Sequence, residues 1–191
     1  LGITTLTDIG NYGLSLTLGG GAVPMIQMMS AYNTFSQDGV KYPLTGLMTV
    51  TDSAGNVLED NTKPEGEQVL PAGVAYLISH ILSDNKAREP AFGPRSSLEI
   101  PGKTVAVKTG TSDDKRDNWT FGYTPELVVG TWVGNNDNSP MDPALTSGIT
   151  GASQIWHDII VALITNRPNL AFERPAGVVE AVVDGRRDLV V

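Results

Sequence analysis

The sequence predicts a mixed α and β fold (α+β type) that contains amphipathic helices and antiparallel strands. Three stretches, 24–39, 71–82 and 151–166, repeat apolar residues at intervals of three and four, which is typical of amphipathic helices. Runs rich in β-branched and aromatic residues lie between them and are separated by short polar segments. Because strands joined by short turns pair antiparallel, these patterns indicate one α+β domain.

The N-terminal part is predicted to contain an extended segment and then a helix. Residues 14–21 alternate apolar and polar side chains and end in three glycines, which predicts a short strand entering a tight turn. Pro24 suits the first turn of a helix, and Gly39 ends the periodic stretch that follows. The residues expected to pack this helix into the core are Met25, Met28, Met29, Tyr32 and Phe35.

A hairpin and a second helix follow along the chain. Two β-rich runs between residues 42 and 59 flank the turn sequence Ser53-Ala54-Gly55-Asn56, which predicts a β-hairpin. The segment 83–98 mixes charges with Gly and Pro and is expected to be a loop. The second helix, 71–82, is expected to face the core with Val74, Leu77, Ile78, Ile81 and Leu82.

The C-terminal half is predicted to hold an antiparallel strand pair and a long helix. Strand 104–109 and a second β-rich run, made of residues 119–123 and 127–133, are separated by the polar stretch 112–118. Residues 176–191 are expected to form a tail or a linker to a further segment. The helix 151–166 is expected to bury Ile155, Trp156, Ile159, Ile160, Leu163 and Ile164.

Composition and charge disfavour several functions. A net charge of −8 argues against nucleic acid as a partner, because phosphate binding depends on clustered Lys and Arg. The sequence has no cysteine and two distant histidines, so we expect neither a metal nor another cofactor. No apolar run reaches the roughly 18 residues of a membrane helix. The chain begins on Leu1 without a signal sequence, and is interpreted as the remainder of a larger protein.

The sequence Lys108-Thr109-Gly110-Thr111 at the end of a strand carries the chemistry. The lysine supplies a positive charge, and the two threonine hydroxyls can donate to a carboxylate. The glycine lets a ligand lie against the strand without an intervening side chain. A backbone N–H just after the glycine could donate to an oxyanion. The motif is therefore suited to binding a carboxylate beside a reacting carbonyl.

Several blocks resemble class A, bifunctional penicillin-binding proteins, for which K-T-G is a signature. The similarity covers roughly residues 1–175, which would form the C-terminal part of a transpeptidase domain. The resembling blocks are YGLSLTLGGG (12–21), AYNTFSQDGV (31–40), VAYLISHIL (74–82), AVKTGTSDDKRDNWTFGYTPELVVGTWVGNND (106–137) and the start of the last helix from Gly151 through Trp156.

This resemblance implies a fold, a reaction and a set of site residues. The fold is a five-stranded antiparallel sheet with helices on both faces, of which this chain would hold three strands and the last helix. The reaction is peptidoglycan D,D-transpeptidation through a serine acyl-enzyme that β-lactams also acylate. Catalytic roles fall to Lys108 and to the backbone N–H of Thr111, an oxyanion donor. Substrate binding involves Lys108, Thr109, Gly110 and Thr111.

The resemblance also implies partners and a location. The partners would be peptidoglycan stem peptides, β-lactams and the missing N-terminal part of the same domain. The location would be the extracytoplasmic face of the bacterial membrane, with an anchor outside this chain. The chain alone would then be inactive, because the family's nucleophilic S-x-x-K serine and its S-x-N motif are expected upstream of Leu1.

Two S-x-x-K strings inside the chain could be mistaken for the nucleophile. The first begins at Ser83 and also reads Ser-Asp-Asn, and the second begins at Ser112 directly after the K-T-G-T sequence. Ser83 is predicted to close a helix rather than open one, so its hydroxyl lacks the support of a helix N-terminus. Ser112 is predicted to lie in a turn that cannot face the groove of its own strand. Both are therefore expected to be polar loop residues.

Two other functions stay open at this point. D,D-carboxypeptidases and β-lactamases have the same fold and hydrolyse related substrates, so this chain could belong to a hydrolase. A non-catalytic cell-wall binding domain could also retain K-T-G-T as a carboxylate site. An S-x-x-K serine in the preceding sequence would favour an enzyme, and its absence would favour a binding domain.

Overall fold

The computed structural model describes residues 1–8, 10, 12–142 and 150–191 and confirms a mixed α and β fold. A 3-10 helix at Gly13–Leu18 comes first. The α-helices described are α1 (Met25–Ser36), α2 (Ala72–Ser83), α3 (Asn85–Phe92) and α4 (Ala152–Ile164). The strands described are β1 (Val40–Lys41), β2 (Thr49–Thr51), β3 (Val57–Asp60), β4 (Glu67–Gln68), β5 (Ala106–Thr111), β6 (Asp117–Thr124), β7 (Leu127–Gly134), β8 (Val179–Val183) and β9 (Arg186–Val190).

The central sheet is antiparallel and has the strand order β5-β6-β7. Residues 106–111 of β5 pair with residues 118–123 of β6 without interruption, and β6 pairs with β7 along its whole length. The two parts of the predicted second run, 119–123 and 127–133, form β6 and β7, which are joined by a tight turn at Pro125 and Glu126. The predicted hairpin around residues 53–56 is confirmed as the antiparallel pair β2 and β3.

Helices cover both faces of the central sheet. On one face, Trp156 of α4 is fully buried against Gly122 of β6. On the other face, the Tyr32 ring of α1 stacks on Phe121 with ring centroids 5.1 Å apart. Successive residues of a strand point to opposite faces, so alternate β6 side chains meet α4 and α1. The core under α4 comprises Leu98, Ile100, Val105, Val107, Val129, Trp156, Ile160 and Ile164.

The predicted strand at residues 14–21 is wrong. The backbone forms a 3-10 helix at Gly13–Leu18, and the N–H of Gly19 donates to the carbonyl of Leu16 at 3.0 Å. Gly19 has a left-handed φ of 89°, which lets the chain close the helix end. The alternation of Leu and polar residues resembled a strand, but a strand also needs a neighbour for pairing, and the described structure provides none here.

The predicted loop at residues 83–98 is wrong for its first half. Helix α3 occupies Asn85–Phe92, and the Asp84 side chain accepts hydrogen bonds from the backbone N–H groups of Lys86 and Ala87. An aspartate in this capping position satisfies donors that the first turn leaves unpaired. The internal Pro90 and the mixture of charges concealed this short helix in the sequence.

Fewer apolar residues are buried in two of the predicted helices than the sequence pattern predicted. In α4, Trp156, Ile160 and Ile164 are buried, whereas Ile155, Ile159 and Leu163 are 48%, 40% and 41% exposed. In α2, Ile81 is 63% exposed, and the buried residues are the small ones, Gly73, Ala75 and Ser79. A sheet or helix covers only one side of an apolar stripe, and the sequence pattern does not show which side.

Residues 176–191 form structure where a tail or linker was predicted. Strands β8 and β9 pair antiparallel around a turn at Asp184 and Gly185, both of which have positive φ. Val178 is buried, and a Cβ on Gly73 of α2 would meet the side chains of Val178 and Val191. The hairpin thus packs on α2, and the absence of Cβ at Gly73 permits this approach.

Burial of the Tyr123 hydroxyl, which contacts the Ser79 hydroxyl, makes the stability of the fold sensitive to alkaline pH. The two oxygens are 3.0 Å apart, and burial raises the pKa of Tyr123 to about 12. The pKa of Tyr123 is higher in the folded chain than in the unfolded chain, where it is about 10. The contribution of the neutral Tyr123 to the free energy of unfolding is therefore complete below pH 10 and is lost as the pH rises toward 12.

We therefore expect Tyr123→Phe to cost about 1 kcal/mol of unfolding free energy at pH 7. The difference from the unsubstituted chain should shrink or reverse at pH 11, where ionisation of the unfolded tyrosine costs the unsubstituted chain about 1.4 kcal/mol. Urea unfolding at both pH values measures this. An unchanged difference at pH 11 would contradict the assignment.

Contact of Gly122 with Trp156 leaves no room for a larger residue. A Cβ at Gly122 would lie 2.7 Å from Cε2 of the Trp156 ring. Gly122→Ala should therefore lower the unfolding free energy by about 1–3 kcal/mol through overpacking. Gly46→Ala is the matched control, since a Cβ there meets nothing within 4 Å. Equal melting temperatures for the two variants would show that this contact is not tight.

Candidate functional site

Strand β5 lies at an edge of the central sheet. It pairs with β6 on one side, and no described strand pairs with its other side. The sequence Lys108-Thr109-Gly110-Thr111 forms the last four residues of β5, as its position after an apolar strand predicted. A free strand edge offers unpaired backbone N–H and C=O groups to a ligand.

Hydrogen-bond alternation determines which backbone groups point to the free edge. The Ser112 N–H donates to the carbonyl of Asp117 at 3.0 Å, so this opposed pair is hydrogen-bonded across the two strands. In an antiparallel ladder every second residue bonds to its partner strand. Thr109 and Thr111 are the intervening residues, and their backbone N–H and C=O groups therefore point away from β6, toward the free edge.

Helix α3 covers the edge just before the motif. One guanidinium nitrogen of Arg88, Nη1, donates to the Val107 carbonyl at 3.3 Å, and the other, Nη2, donates to the Leu82 carbonyl. Val107 lies two residues before Thr109 in β5, so its carbonyl also points away from β6, toward the free edge. Burial lowers the pKa of Arg88. The accessible edge therefore begins at Lys108, because Arg88 satisfies the carbonyl before it.

The four motif residues present two kinds of side chain on opposite faces of β5. Lys108 and Gly110 lie opposite Phe121 and Trp119 in the ladder, on the face covered by α1. Thr109 and Thr111 lie on the α4 face. Lys108 is exposed, and its Nζ donates to the carbonyl of Thr109. The positive charge and the two hydroxyls are thus gathered along one short edge.

Packing among the described residues does not account for the glycine of the motif. A Cβ at Gly110 would have Trp119 Cβ as its nearest neighbour, at 3.9 Å, which is an ordinary contact distance. The free face above Gly110 is therefore open. The role of Gly110 in leaving space for a ligand stays a prediction.

The turn after the motif is held by the side chain of Asp117. Its Oδ2 accepts a hydrogen bond from the Ser112 hydroxyl at 3.0 Å, and its Oδ1 accepts one from Trp132 Nε1 at 3.0 Å. Its backbone N–H donates in return to Ser112 Oγ at 2.8 Å. These bonds connect the turn to β7 and fix where β5 ends.

The structure places both S-x-x-K serines in structural contacts. Ser83 is the last residue of α2, and its hydroxyl donates to the His80 carbonyl at 3.1 Å. Asp84, not Ser83, caps the helix that follows. Ser112 is held by Asp117 in the turn, as described above. Ser83 thus closes a helix rather than opening one, as the sequence predicted, and the Ser112 hydroxyl makes no capping bond to the short 3-10 helix at Asp113–Lys115.

Sequence reasoning missed two residues of the site, Arg88 and Asn118. Arg88 belonged to a segment predicted to be a loop. Asn118 is only 1% exposed, and its Nδ2 donates to Thr111 Oγ1 at 3.0 Å. Its Oδ1 accepts the backbone N–H of Ala152 at 2.8 Å. Asn118 belonged to the predicted polar stretch 112–118, and its partner Ala152 lies far away in the chain, so no sequence signal pointed to its role.

The aromatic residues of β6 and β7 contribute mainly to packing. Phe121 and Tyr123 are buried, while Trp119 is half-buried and Trp132 is 36% exposed. The rings of Trp119 and Phe121 stack with centroids 5.5 Å apart. These rings form the wall behind Lys108 and Gly110.

Other possible sites carry less chemistry in the described part of the chain. No group of three or more His, Asp or Glu side chains is arranged to hold a metal among the described residues. No helix in those ranges is long and apolar enough to cross a membrane. A small concavity lined by Lys103, Glu126 and Arg167 lies at the opposite end of the sheet from the K-T-G-T sequence.

A K-T-G-T sequence on the free edge of an antiparallel sheet with helices on both faces is characteristic of penicillin-recognising proteins. Residues 7–159 match the family described as penicillin binding protein transpeptidase domain, and the chain belongs to that family. The family and fold predicted from the sequence are thus confirmed.

Similar proteins agree with this membership. The chain is 31% identical to penicillin-binding protein 2D of Bacillus subtilis (strain 168) over 175 residues, which is 89% of this chain and 24% of that protein. It is 32% identical to penicillin-binding protein 1A of Aquifex aeolicus (strain VF5) over 161 residues, which is 84% of this chain and 21% of that protein. The chain therefore spans about a quarter or less of these relatives.

Solved structures show the same fold. Penicillin-binding protein PonA1 of Mycobacterium tuberculosis superimposes with a TM-score of 0.71 at 26% identity, covering 85% of this chain and 44% of that one. Penicillin-binding protein 1A of Haemophilus influenzae superimposes with a TM-score of 0.75 at 19% identity, covering 92% of this chain and 33% of that one.

The turn that ends β5 should depend on the Asp117 carboxylate. We expect Asp117→Ala to lower the unfolding free energy by about 1–2 kcal/mol, because Ser112 and Trp132 each lose a hydrogen bond to a charged acceptor. Asp113→Ala, in the same turn but exposed, should change it by less than about 0.5 kcal/mol. Urea unfolding followed by tryptophan fluorescence compares the two. Equal effects would contradict the role of Asp117.

Proposed function

We propose that this chain is the C-terminal part, residues 1–175, of a serine D,D-transpeptidase domain that cross-links peptidoglycan stem peptides. The observation that carries the proposal is the outward N–H of Thr111 on the free edge of β5, beside the Lys108 charge and the threonine hydroxyls. A relative, PonA1, has been solved in complex with penicillin V. The same edge in this chain would bind the carboxylate of a stem peptide or a β-lactam.

The nucleophile of the proposed reaction is a serine in a segment that precedes this chain. Its hydroxyl oxygen attacks the carbonyl of the penultimate D-Ala, and the peptide C–N bond breaks. The terminal D-Ala leaves with a proton on its amine. The amine of a second stem peptide then attacks the ester carbonyl, and the ester C–O bond breaks as the new amide forms. A proton of that amine passes to the serine oxygen. The chain described here binds and orients the substrate in both steps.

Each motif residue has a defined role in this proposal. The backbone N–H of Thr111 donates to the oxygen of the tetrahedral intermediate, together with the N–H of the serine itself. The hydroxyls of Thr109 and Thr111 donate to the terminal carboxylate, and Lys108 supplies the positive charge beside them. Gly110 leaves the space in which the substrate backbone lies along β5. No metal or other cofactor takes part.

The proposed location is the extracytoplasmic side of the bacterial membrane, where peptidoglycan is assembled, with an anchor outside this chain. We expect the chain alone to be inactive. Its two S-x-x-K serines are held in structural contacts, so a complementary segment must bring the nucleophile to the edge of β5.

Labelling with a fluorescent penicillin tests the proposal. The chain is incubated with the probe alone and together with the preceding segment of the same protein, and intact mass locates the adduct. A label only in the mixture, on the preceding segment, is the expected result. A label on Ser83 or Ser112 of this chain would overturn the assignment of the nucleophile, and no label in either sample would overturn the enzymatic function.

The products distinguish the related reactions. A transpeptidase transfers the acyl group to an added amine acceptor, such as a D-amino acid, and forms a new amide. A D,D-carboxypeptidase or β-lactamase instead releases the hydrolysed acid. Mass spectrometry of the products from a D-Ala-D-Ala peptide separates these outcomes, and release of acid alone would favour hydrolysis.

The oxyanion role of Thr111 can be separated from its hydroxyl by two substitutions. Thr111→Pro removes both the N–H and the hydroxyl, whereas Thr111→Val removes only the hydroxyl. Because this N–H points away from β6, proline removes no ladder bond. In the full-length protein we expect acylation by penicillin to slow by about 10² to 10³ for Thr111→Pro. Thr111→Val should slow it by about tenfold. Equal rates for the two variants would contradict the oxyanion role.

A further inference from the structure

Asn118 connects the K-T-G-T motif to the start of α4. Its side chain is 1% exposed and lies directly opposite Thr111 in the β5–β6 ladder. Nδ2 donates to Thr111 Oγ1 at 3.0 Å, and Oδ1 accepts the N–H of Ala152 at 2.8 Å. A buried amide therefore contacts an exposed hydroxyl of the proposed binding edge.

The contact with Ala152 fixes the orientation of the amide. A backbone N–H can only donate, so the oxygen of the Asn118 side chain must face it. The amide nitrogen must then face Thr111, and it can only donate there. The hydroxyl oxygen of Thr111 is consequently the acceptor in this bond, and the two ends of the asparagine cannot be exchanged without losing both bonds.

This arrangement leaves the hydroxyl proton of Thr111 for another acceptor. Within the described residues, the hydroxyl donates to no protein acceptor, and Thr111 is exposed. Asn118 cannot take the proton, since its oxygen is directed to Ala152. The proton therefore has its acceptor outside the described protein contacts, on the side where the ligand carboxylate is proposed to lie.

We propose that Asn118 is a positioning residue that makes the Thr111 hydroxyl a donor toward the substrate carboxylate. This inference rests on the proposed function of the same edge. Without the asparagine, the hydroxyl is free to rotate and can donate elsewhere. With it, the carboxylate meets a proton that already points outward, which reduces the ordering needed on binding.

The test reverses the hydrogen bond while preserving the shape of the side chain. Asn118→Asp keeps an oxygen for the Ala152 N–H but presents a second acceptor to Thr111, so the hydroxyl proton turns inward. The added negative charge lies at the N-terminus of α4, where a helix tolerates it. Asn118→Ala removes both bonds and serves as a second variant, with thermal unfolding as the check on folding.

The readout is the second-order acylation rate constant of the full-length protein with a penicillin and with its methyl ester. The ester lacks the negative charge that the Thr111 hydroxyl should bind. We expect Asn118→Asp to lower the acid-to-ester ratio of rate constants by roughly tenfold to a hundredfold, because a hydrogen bond to a charged group is lost. A purely structural role would lower both rate constants equally and leave the ratio unchanged, which would overturn the proposal.

A double-substitution cycle tests whether Asn118 acts through Thr111. In the Thr111→Val background, which has no hydroxyl, Asn118→Asp should leave the acid-to-ester ratio unchanged. A further fall of the ratio in that background would show that the added charge acts directly on the ligand, and would overturn the proposal.

The hydrogen bond can also be read without any acylation. The side-chain amide signal of Asn118 in a ¹⁵N-resolved spectrum should shift on Thr111→Val and remain unchanged on Thr109→Val. If penicillin fails to acylate the unsubstituted protein, the proposed function fails, and this spectrum still decides whether Asn118 orients the hydroxyl. An amide signal insensitive to Thr111→Val would overturn the positioning role by itself.

Discussion

The antiparallel pairing of β5 with β6 is the constraint on which the candidate site depends. Its register places Thr111 opposite Asn118, and the bond between Ser112 N–H and the Asp117 carbonyl sets the alternation along the ladder. A shift of one residue would turn the backbone groups of Thr109 and Thr111 toward β6 and reverse the side-chain faces. The site therefore follows from the register as much as from the identity of the four motif residues.

Several contacts hold this register from outside the strand pair. Asp117 ties the turn to Trp132 of β7, and Arg88 of α3 occupies the edge just before the motif. Trp156 of α4 lies against the bare backbone of Gly122 in the middle of β6. These contacts come from three different elements, so the edge is defined by the whole domain rather than by the motif alone.

Both faces of the sheet contribute to the edge in different ways. The α1 face places aromatic rings behind Lys108 and Gly110, which gives the charge a rigid and largely apolar background. The α4 face places a buried amide beneath the Thr111 hydroxyl. A carboxylate at this edge would thus meet a lysine charge and a Thr111 hydroxyl held by a buried amide, in line with the general advantage of preorganised polar sites.

The sequence alone determined the fold class, the main helices, the K-T-G-T strand and the membership of the family. These features depend on local periodicity and on short motifs. Both involve residues that are close together in the chain, so they can be recognised from the sequence. It did not reveal that residues 14–21 form a 3-10 helix, that α3 exists, or that 176–191 form a hairpin. Strand pairing and short capped helices depend on partners distant in the chain.

Only the tertiary structure decided which side of each apolar stripe is buried and which groups point to the free edge. The burial of Trp156 rather than Ile155, and the contacts of Asn118 with Thr111 and Ala152, follow from the packing of α4 on the sheet. No local pattern encodes that packing, because it brings together residues 34 positions apart. The motif residues were visible in the sequence, but their orientation required the fold.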